Sequence, residues 1–295
     1  MIRNYKKKPL RKIGIAIISL LCFSFFSNPT NAQVVSSTEI GIMGGGSYYL
    51  GDINNKHFDY MMPSGGIVIR KNIDRRIVVK GALLLGYIRA DDSRNAKDTA
   101  NFNRNLHFRS PIYELSGQIE FNFLPYETGN SLYPFTPFIF AGVSLFRFNP
   151  QAEASNGEWV ELQLLGTEGQ GTSAFPNRKK YALTQFSIPM GGGFKIAVNK
   201  TFNIILEYGI RKTFTDYLDD VSTTYAGSPT EWTTSTSGSL NLEMADRNLA
   251  VDPFGIQIPK TEGMQRGNSK DNDWYTFTGI TLSFKILSEK ERCNY

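Results

Sequence analysis

Between Tyr113 and Phe123 the chain alternates strictly. Tyr113, Leu115, Gly117, Ile119, Phe121 and Phe123 are apolar or small, and Glu114, Ser116, Gln118, Glu120 and Asn122 are polar. Successive side chains on a strand point to opposite faces, so the segment predicts a strand with one apolar and one charged face. The pattern recurs, and predicts strands at Glu39–Tyr49, Ser64–Ile73, Ile77–Ala90, Ser110–Phe123, Thr136–Asn149, Thr184–Val198, Phe202–Thr213 and Trp274–Leu287. The apolar set is Phe186, Ile188, Met190, Phe194 and Ile196 in the sixth strand, and Phe202, Ile204, Leu206, Tyr208 and Ile210 in the seventh.

Alternation alone does not say which face meets water, because a soluble sandwich or lipocalin-like barrel alternates too, with the apolar set inside. Three features favour lipid. Many of these strands exceed the about 5–6 residues usual in globular proteins and suit the about 9–11 that cross a bilayer at a tilt. Aromatics gather at strand ends: Tyr48, Tyr49, Tyr87, Tyr113 and Trp274 at one rim, and Phe123, Tyr126, Tyr133, Phe135 and Phe284 at the other. The links after strands two and six are tight turns, Asp74–Arg76 and Asn199–Thr201, and that after strand four, Leu124–Tyr133, is modest; the other links are longer, ending with Phe214–Asp273. Short periplasmic turns opposite long external loops mark an outer-membrane barrel. The predicted fold is all-β: an eight-stranded antiparallel transmembrane β-barrel with both termini in the periplasm.

The first 32 residues predict a secretory signal peptide. Arg3, Lys6, Lys7, Lys8, Arg11 and Lys12 precede the apolar stretch Ile13–Phe26, and Thr30-Asn31-Ala32 offers small residues before Gln33. Cys22 lacks the small residue expected before a lipidated cysteine. Cleavage removes six basic residues and no acids, taking the formal charge from +5 to −1. The basic character therefore belongs to the targeting segment and gives no support to nucleic-acid binding. Residues 33–295 then form a single barrel domain with one cysteine, Cys293, in a polar periplasmic tail. A lone thiol there has no partner in its own chain, so a disulfide to a periplasmic partner is chemically available.

Strand pairing sets the expected interior. The turn after strand two places Arg70 opposite Lys80, a like-charge pair that Glu120 on the neighbouring strand would neutralise. The turn after strand six places Lys195 diagonal to Glu207, which faces Gly193 and so has room; Arg211 and Glu114 extend the charged lining. Polar fillers of a narrow barrel pair with one another, which makes a structural network the expectation over a transport path.

Signals for catalysis are weak. A lipid-modifying barrel enzyme would need a histidine beside a hydroxyl or carboxylate at the outer rim, and only His57 and His107 are available, with Ser64 and Ser110 nearby in sequence. Gly166–Gly171 is glycine-rich without the lysine-serine tail of a phosphate loop. Asp216, Asp219 and Asp220 lack the alternate acids and distal glutamate of a calcium loop, and read as a solvated or loop-ordering cluster. No metal, cofactor or catalytic residue is assigned. Gly44–Gly46 and Gly191–Gly193 predict strand bends or close backbone approach.

Three stretches are not explained by barrel physics: Tyr48–Asn54, Trp159–Gly169 and Phe214–Tyr225, the last containing Phe214, Asp216, Tyr217, Asp219 and Asp220. Together they resemble the PorG-like outer-membrane barrels of Bacteroidetes, components of the type IX (Por) secretion machinery, along essentially the whole chain beyond the signal. The resemblance implies a non-enzymatic barrel embedded in outer-membrane lipid and associated with the periplasmic ring of PorK and PorN. The alternatives are a small structural or surface-interaction barrel without that ring, and a lipid-modifying enzyme.

Overall fold

The computed structural model describes residues 36–94, 99–234, 238–251, 253–256 and 258–287. The residues expected to form a signal peptide, with Cys22, and the tail cysteine Cys293 lie outside the described residues. The strands are β1 (Ser37–Leu50), β2 (Met62–Asn72), β3 (Ile77–Asp91), β4 (His107–Asn122), β5 (Phe135–Phe148), β6 (Gln151–Glu153), β7 (Trp159–Glu161), β8 (Thr184–Ala197), β9 (Phe202–Thr213) and β10 (Trp274–Ile286). Eight of them pair antiparallel in the order β3-β2-β1-β10-β9-β8-β5-β4, and β3 pairs with β4 to close the sheet into a barrel. The short β6–β7 hairpin joins the end of β4 through Arg109 and Gln151. Closure leaves the barrel without a free edge, so its backbone polar groups are satisfied between strands.

The alternation sets the strand limits closely, and Phe202–Thr213 coincides with its expectation. β4 begins at His107 rather than Ser110 because its pairing with β3 continues to Asp91. Both tight turns use the same device. The Asp74 Oδ1 accepts the backbone N–H of Arg76 (2.6 Å) and Ile77 (2.8 Å), and the Asn199 Oδ1 accepts those of Thr201 and Phe202, both at 2.9 Å. A short acceptor at the first position holds the turn and with it the register. At Gly45 and Gly193 a side chain would drive into the backbone of the adjacent strand, at Thr278 and Leu206 respectively. These glycines permit close approach across the wall.

The apolar face points outward. Ile42 is 69% exposed, Leu115 62%, Ile119 61% and Val143 68%, and the band continues around the barrel through Leu83, Phe194, Leu206, Ile280 and Leu282. A soluble barrel would bury this face; a continuous exposed apolar girdle is the surface a bilayer covers. Three aromatics placed in the girdle by sequence are instead buried. Tyr49 points into the barrel, and Tyr126 turns inward under the short-turn end, its hydroxyl donating to Asn203 Oδ1 at 2.9 Å. Tyr48 faces outward, but the loop 51–61 folds back over it, with Phe58 packed at 5.5 Å between ring centroids.

The face assignment makes a direct prediction. Leu206→Arg, near the middle of the outward column of β9, should destabilise the folded barrel by about 2–4 kcal/mol in lipid. Leu206→Phe should be nearly neutral, because lipid accommodates the extra volume, whereas a packed core would lose about 1–3 kcal/mol to overpacking. Urea unfolding in vesicles, read by heat-modifiable mobility, checks both; equal damage from the two would mean that Leu206 faces a core.

Candidate functional site: a sealed lumen and the cap above it

The inward face carries four carboxylates, Glu39, Glu114, Glu120 and Glu207, and four cations, Arg70, Lys80, Lys195 and Arg211, all buried. Arg70 and Lys80 are direct register partners. Glu120 lies 3.1 Å from Arg70, 3.5 Å from Lys80 and 2.6 Å from Lys195. Glu207, opposite Gly193 in register, bridges Lys80 at 2.8 Å and Arg70 at 3.1 Å. Lys195 thus pairs with Glu120 and not with its diagonal neighbour Glu207. Closer to the long loops, Arg211 Nε donates to Glu114 Oε2 at 3.0 Å, and the Tyr275 hydroxyl donates to the same oxygen at 2.9 Å. Lys80 and Lys195 also stand over the rings of Phe140 (4.2 Å) and Phe138 (4.7 Å).

Glu39 was not singled out by the sequence. It is the register partner of Arg70, accepts hydrogen bonds from Asn72 Nδ2 and Thr128 Oγ1, both at 2.8 Å, and from Ser283 Oγ at 3.2 Å. The signal that could have found it is the charge-matched cross-strand pair Glu39–Arg70, partly obscured by the glycines of β1. Thr128 and Tyr126 belong to residues 123–134, which fold beneath the barrel; Tyr126 N donates to Arg75 O (3.0 Å), and Arg75 pairs with Glu127 (2.9 Å). That end of the lumen is occupied by protein.

The long loops close the other end. The hydroxyl of Tyr49 lies 2.5 Å from Asp219 and 2.9 Å from Asp273, while Asp273 Oδ2 accepts the backbone N–H of Leu218 at 2.9 Å. A hydroxyl has one proton to donate, so holding both contacts as hydrogen bonds requires a protonated carboxyl. Burial pushes Asp219 and Asp273 well above the usual carboxylate range, consistent with that proton. Asp220, held at a left-handed φ of 66°, accepts from Thr167 and from the Tyr181 hydroxyl (2.7 Å); burial raises it to about 6. Burial raises Asp216 to about 8. Tyr217 stacks on Tyr181 at 4.8 Å, and Phe214 stays exposed at the strand end. Of the two readings left open by the sequence, solvated or loop-ordering, the arrangement fits the second: the acids are largely enclosed and fold down onto the barrel mouth, where they hold loop groups in place.

Two residues that sequence reasoning missed organise the cap. Glu168 accepts from the backbone N–H of Ser222 (2.9 Å) and Thr223 (3.1 Å), from the Thr223 hydroxyl (2.6 Å) and from Arg266 Nη1 (3.2 Å). Arg104 joins three loops: it pairs with Asp92 at 2.7 Å and donates to the carbonyls of Asp52 (2.9 Å) and Arg266 (2.8 Å). Beneath this polar layer, Leu218, Val221, Leu162 and Met244 pack in one cluster with Phe108, Phe146, Phe148, Tyr275 and Phe277 of the upper barrel. Cap and barrel share a core.

The histidines take other partners. His57 Nδ1 lies 3.0 Å from the Tyr48 hydroxyl and 3.3 Å from that of Tyr208, and His107 Nε2 accepts the backbone N–H of Glu153 at 3.0 Å. Ser110 Oγ donates to Pro111 O and accepts from Asn149 N. Among the described residues no histidine hydrogen-bonds a serine, and no group of three or more acidic, histidine or cysteine side chains is arranged to hold a metal.

The lumen network predicts an ordered mutational effect. Glu120→Ala leaves Lys195 without its ion-pair partner and removes one of the two carboxylates that Arg70 and Lys80 pair with, at a cost of about 3–5 kcal/mol. Glu120→Gln keeps an acceptor oxygen in place and should cost less. Chemical unfolding in detergent compares the two; identical midpoints would contradict the network.

No match to the chain was found among curated proteins. Solved structures with a similar course include Ail, the attachment invasion locus protein of Yersinia pestis (9% identity, 85% of this chain and 97% of that one, TM-score 0.38). Others are Neisserial surface protein A (10%, 85% and 97%, 0.38) and the N-terminal β-barrel domain of Pseudomonas aeruginosa OprF (11%, 86% and 98%, 0.32). Scores this low carry no argument about function, and the architecture rests on the register and closure of the chain itself. The family described as a domain of unknown function, DUF6089, matches residues 13–163, from the apolar stretch that begins at Ile13 through β7. The chain belongs to the DUF6089 family.

Proposed function

We propose that the protein is a non-enzymatic outer-membrane barrel that anchors the periplasmic PorK–PorN ring of a type IX secretion machine, with both termini in the periplasm. The observation that carries the reading is that the barrel is filled and covered at both ends. Buried ion pairs occupy its middle, residues 123–134 fold beneath it, and the long loops share a core with its mouth. A plugged barrel offers no path for solutes or cargo, so its work lies at its surfaces. The stretch Phe214–Tyr225, most specific to the PorG-like resemblance, builds the cap over the barrel. Among the described residues neither histidine pairs with a serine or a carboxylate, and His57 meets only tyrosine hydroxyls, which sets the lipid-modifying alternative lower. A structural or surface-interaction barrel without the ring fits the same architecture and is separated from the leading reading by the partner.

The test is affinity purification of the full-length protein, solubilised in mild detergent from cells that produce the ring. PorK and PorN should co-purify, and non-reducing electrophoresis should show a heavier band that disappears in Cys293→Ser if the tail thiol makes the contact. Purification of the folded barrel without either subunit, with and without chemical crosslinking, would overturn the ring reading and leave the surface-interaction barrel.

A further inference from the structure

On three adjacent strands the lipid-facing column ends, toward the long loops, in an arginine. On β3 it runs Val79, Gly81, Leu83, Leu85 and Tyr87 to Arg89; on β5, Ile139, Ala141, Val143 and Leu145 to Arg147; on β4, from Phe121 up through Tyr113 and Pro111 to Arg109. Arg89 and Arg109 are direct register partners just beyond the aromatic belt. Like charges placed opposite one another destabilise a sheet unless something neutralises them. Inside the barrel the corresponding pair, Arg70 and Lys80, is met by Glu120 and Glu207. Outside, among the described residues, no carboxylate forms an ion pair with Arg89 or Arg109.

These arginines line a groove on the outer wall, with Tyr87, Pro111 and Tyr113 on the membrane side and Trp159 of the β6–β7 hairpin on the other. Arg109 is held in place: its guanidinium stacks on Trp159 at 3.6 Å and its Nε donates to Gln151 Oε1 at 3.4 Å. Arg89 lies 5.6 Å from the Tyr60 ring. The groove also contains Asp91 and Glu153, one tier farther from the apolar band, since Asp91 pairs in register with His107 and Glu153 with Trp159. The level nearest lipid is therefore cationic.

We propose that this groove binds the phosphorylated headgroup of a lipid in the surrounding leaflet, an inference that rests on the membrane-barrel reading but not on the ring. A phosphate between Arg89 and Arg109 would accept paired hydrogen bonds from both guanidiniums and relieve their repulsion, as arginine forks do for phosphate generally. The acyl chains would run down the Leu85 and Tyr113 columns, with the Tyr87 and Tyr113 rings at the interface. Recognition thus needs both halves of the ligand: a phosphate at the arginine level and apolar chains directly beneath it. A free phosphate satisfies only the first.

The test uses the purified full-length barrel in detergent micelles, with diphosphoryl lipid A, the same lipid after phosphatase treatment, and inorganic phosphate as probes in native mass spectrometry. Wild type should retain diphosphoryl lipid A, and Arg89→Gln/Arg109→Gln should bind it at least about tenfold more weakly. Arg147→Gln, which removes a rim cation outside the groove, should stay within about twofold of wild type. The dephosphorylated lipid should bind as weakly as diphosphoryl lipid A binds the double variant, and inorganic phosphate at equal concentration should not displace the lipid. Heat-modifiable mobility confirms that each variant is folded, with Arg89→Lys/Arg109→Lys as the charge-retaining alternative should the glutamine pair not assemble. Equal affinity of folded wild type and double variant, equal binding of the dephosphorylated lipid, or displacement by inorganic phosphate would each overturn the proposal. Wild type that fails to show heat-modifiable mobility would instead contradict the membrane reading beneath it.

Discussion

The structure depends on neutralising charge in a space closed to water. Closing eight strands turns one face of every strand inward, and the side chains there have only each other to solvate them. Arg70 and Lys80 are forced opposite one another by the turn at Asp74, so the fold requires acids from other strands at the same level. Glu120 comes from β4 and Glu207 from β9, on the far side of the barrel in strand order. Each is 5% exposed or less. A buried charge without its partner costs several kcal/mol, so these pairs tie the closure of the barrel to its register. Slippage by one residue would send the carboxylates to lipid and leucines to the lumen.

The same logic governs the two ends. At the short-turn end, Tyr126 and Thr128 reach Asn203 and Glu39 and bring residues 123–134 under the lumen. At the long-loop end, Glu168 gathers the backbone N–H groups of Ser222 and Thr223, and Tyr49 holds Asp219 and Asp273 against the barrel mouth. A loop buried this deeply must have its backbone groups satisfied, and the acids of the cap do that work. The result is a plugged cylinder whose outer wall, cap and short-turn end are the surfaces left for partners.

Much of the barrel was legible in the sequence because its signal is local. A period of two needs only neighbouring residues, which is why the limits of β9 and the short links at Asp74–Arg76 and Asn199–Thr201 follow from the alternation itself. Lumen pairing followed from turn-set register for Arg70 with Lys80 and for Gly193 with Glu207. It fails where a contact skips an intervening strand, as in Lys195 of β8 with Glu120 of β4 across β5, and where glycines blur the alternation, as around Glu39. The cap was not legible. Arg104 with Arg266, Tyr49 with Asp219 and Glu168 with Thr223 join residues far apart in sequence, and no periodicity links them. For the same reason Tyr48 and Tyr49 read as rim aromatics, when loop contacts bury them both.

The central claim is that this barrel is filled and sealed, and planar-bilayer conductance tests it most directly. Purified full-length protein, folded by heat-modifiable mobility and inserted into a bilayer, should show no steady ion conductance. Glu120→Ala/Glu207→Ala, which strips both acids from Arg70 and Lys80, should show opening events if it still inserts. A stable, regularly stepped conductance from the folded wild type would contradict the account, because it would mean that the lumen conducts and that its buried ion pairs line a path instead of filling one.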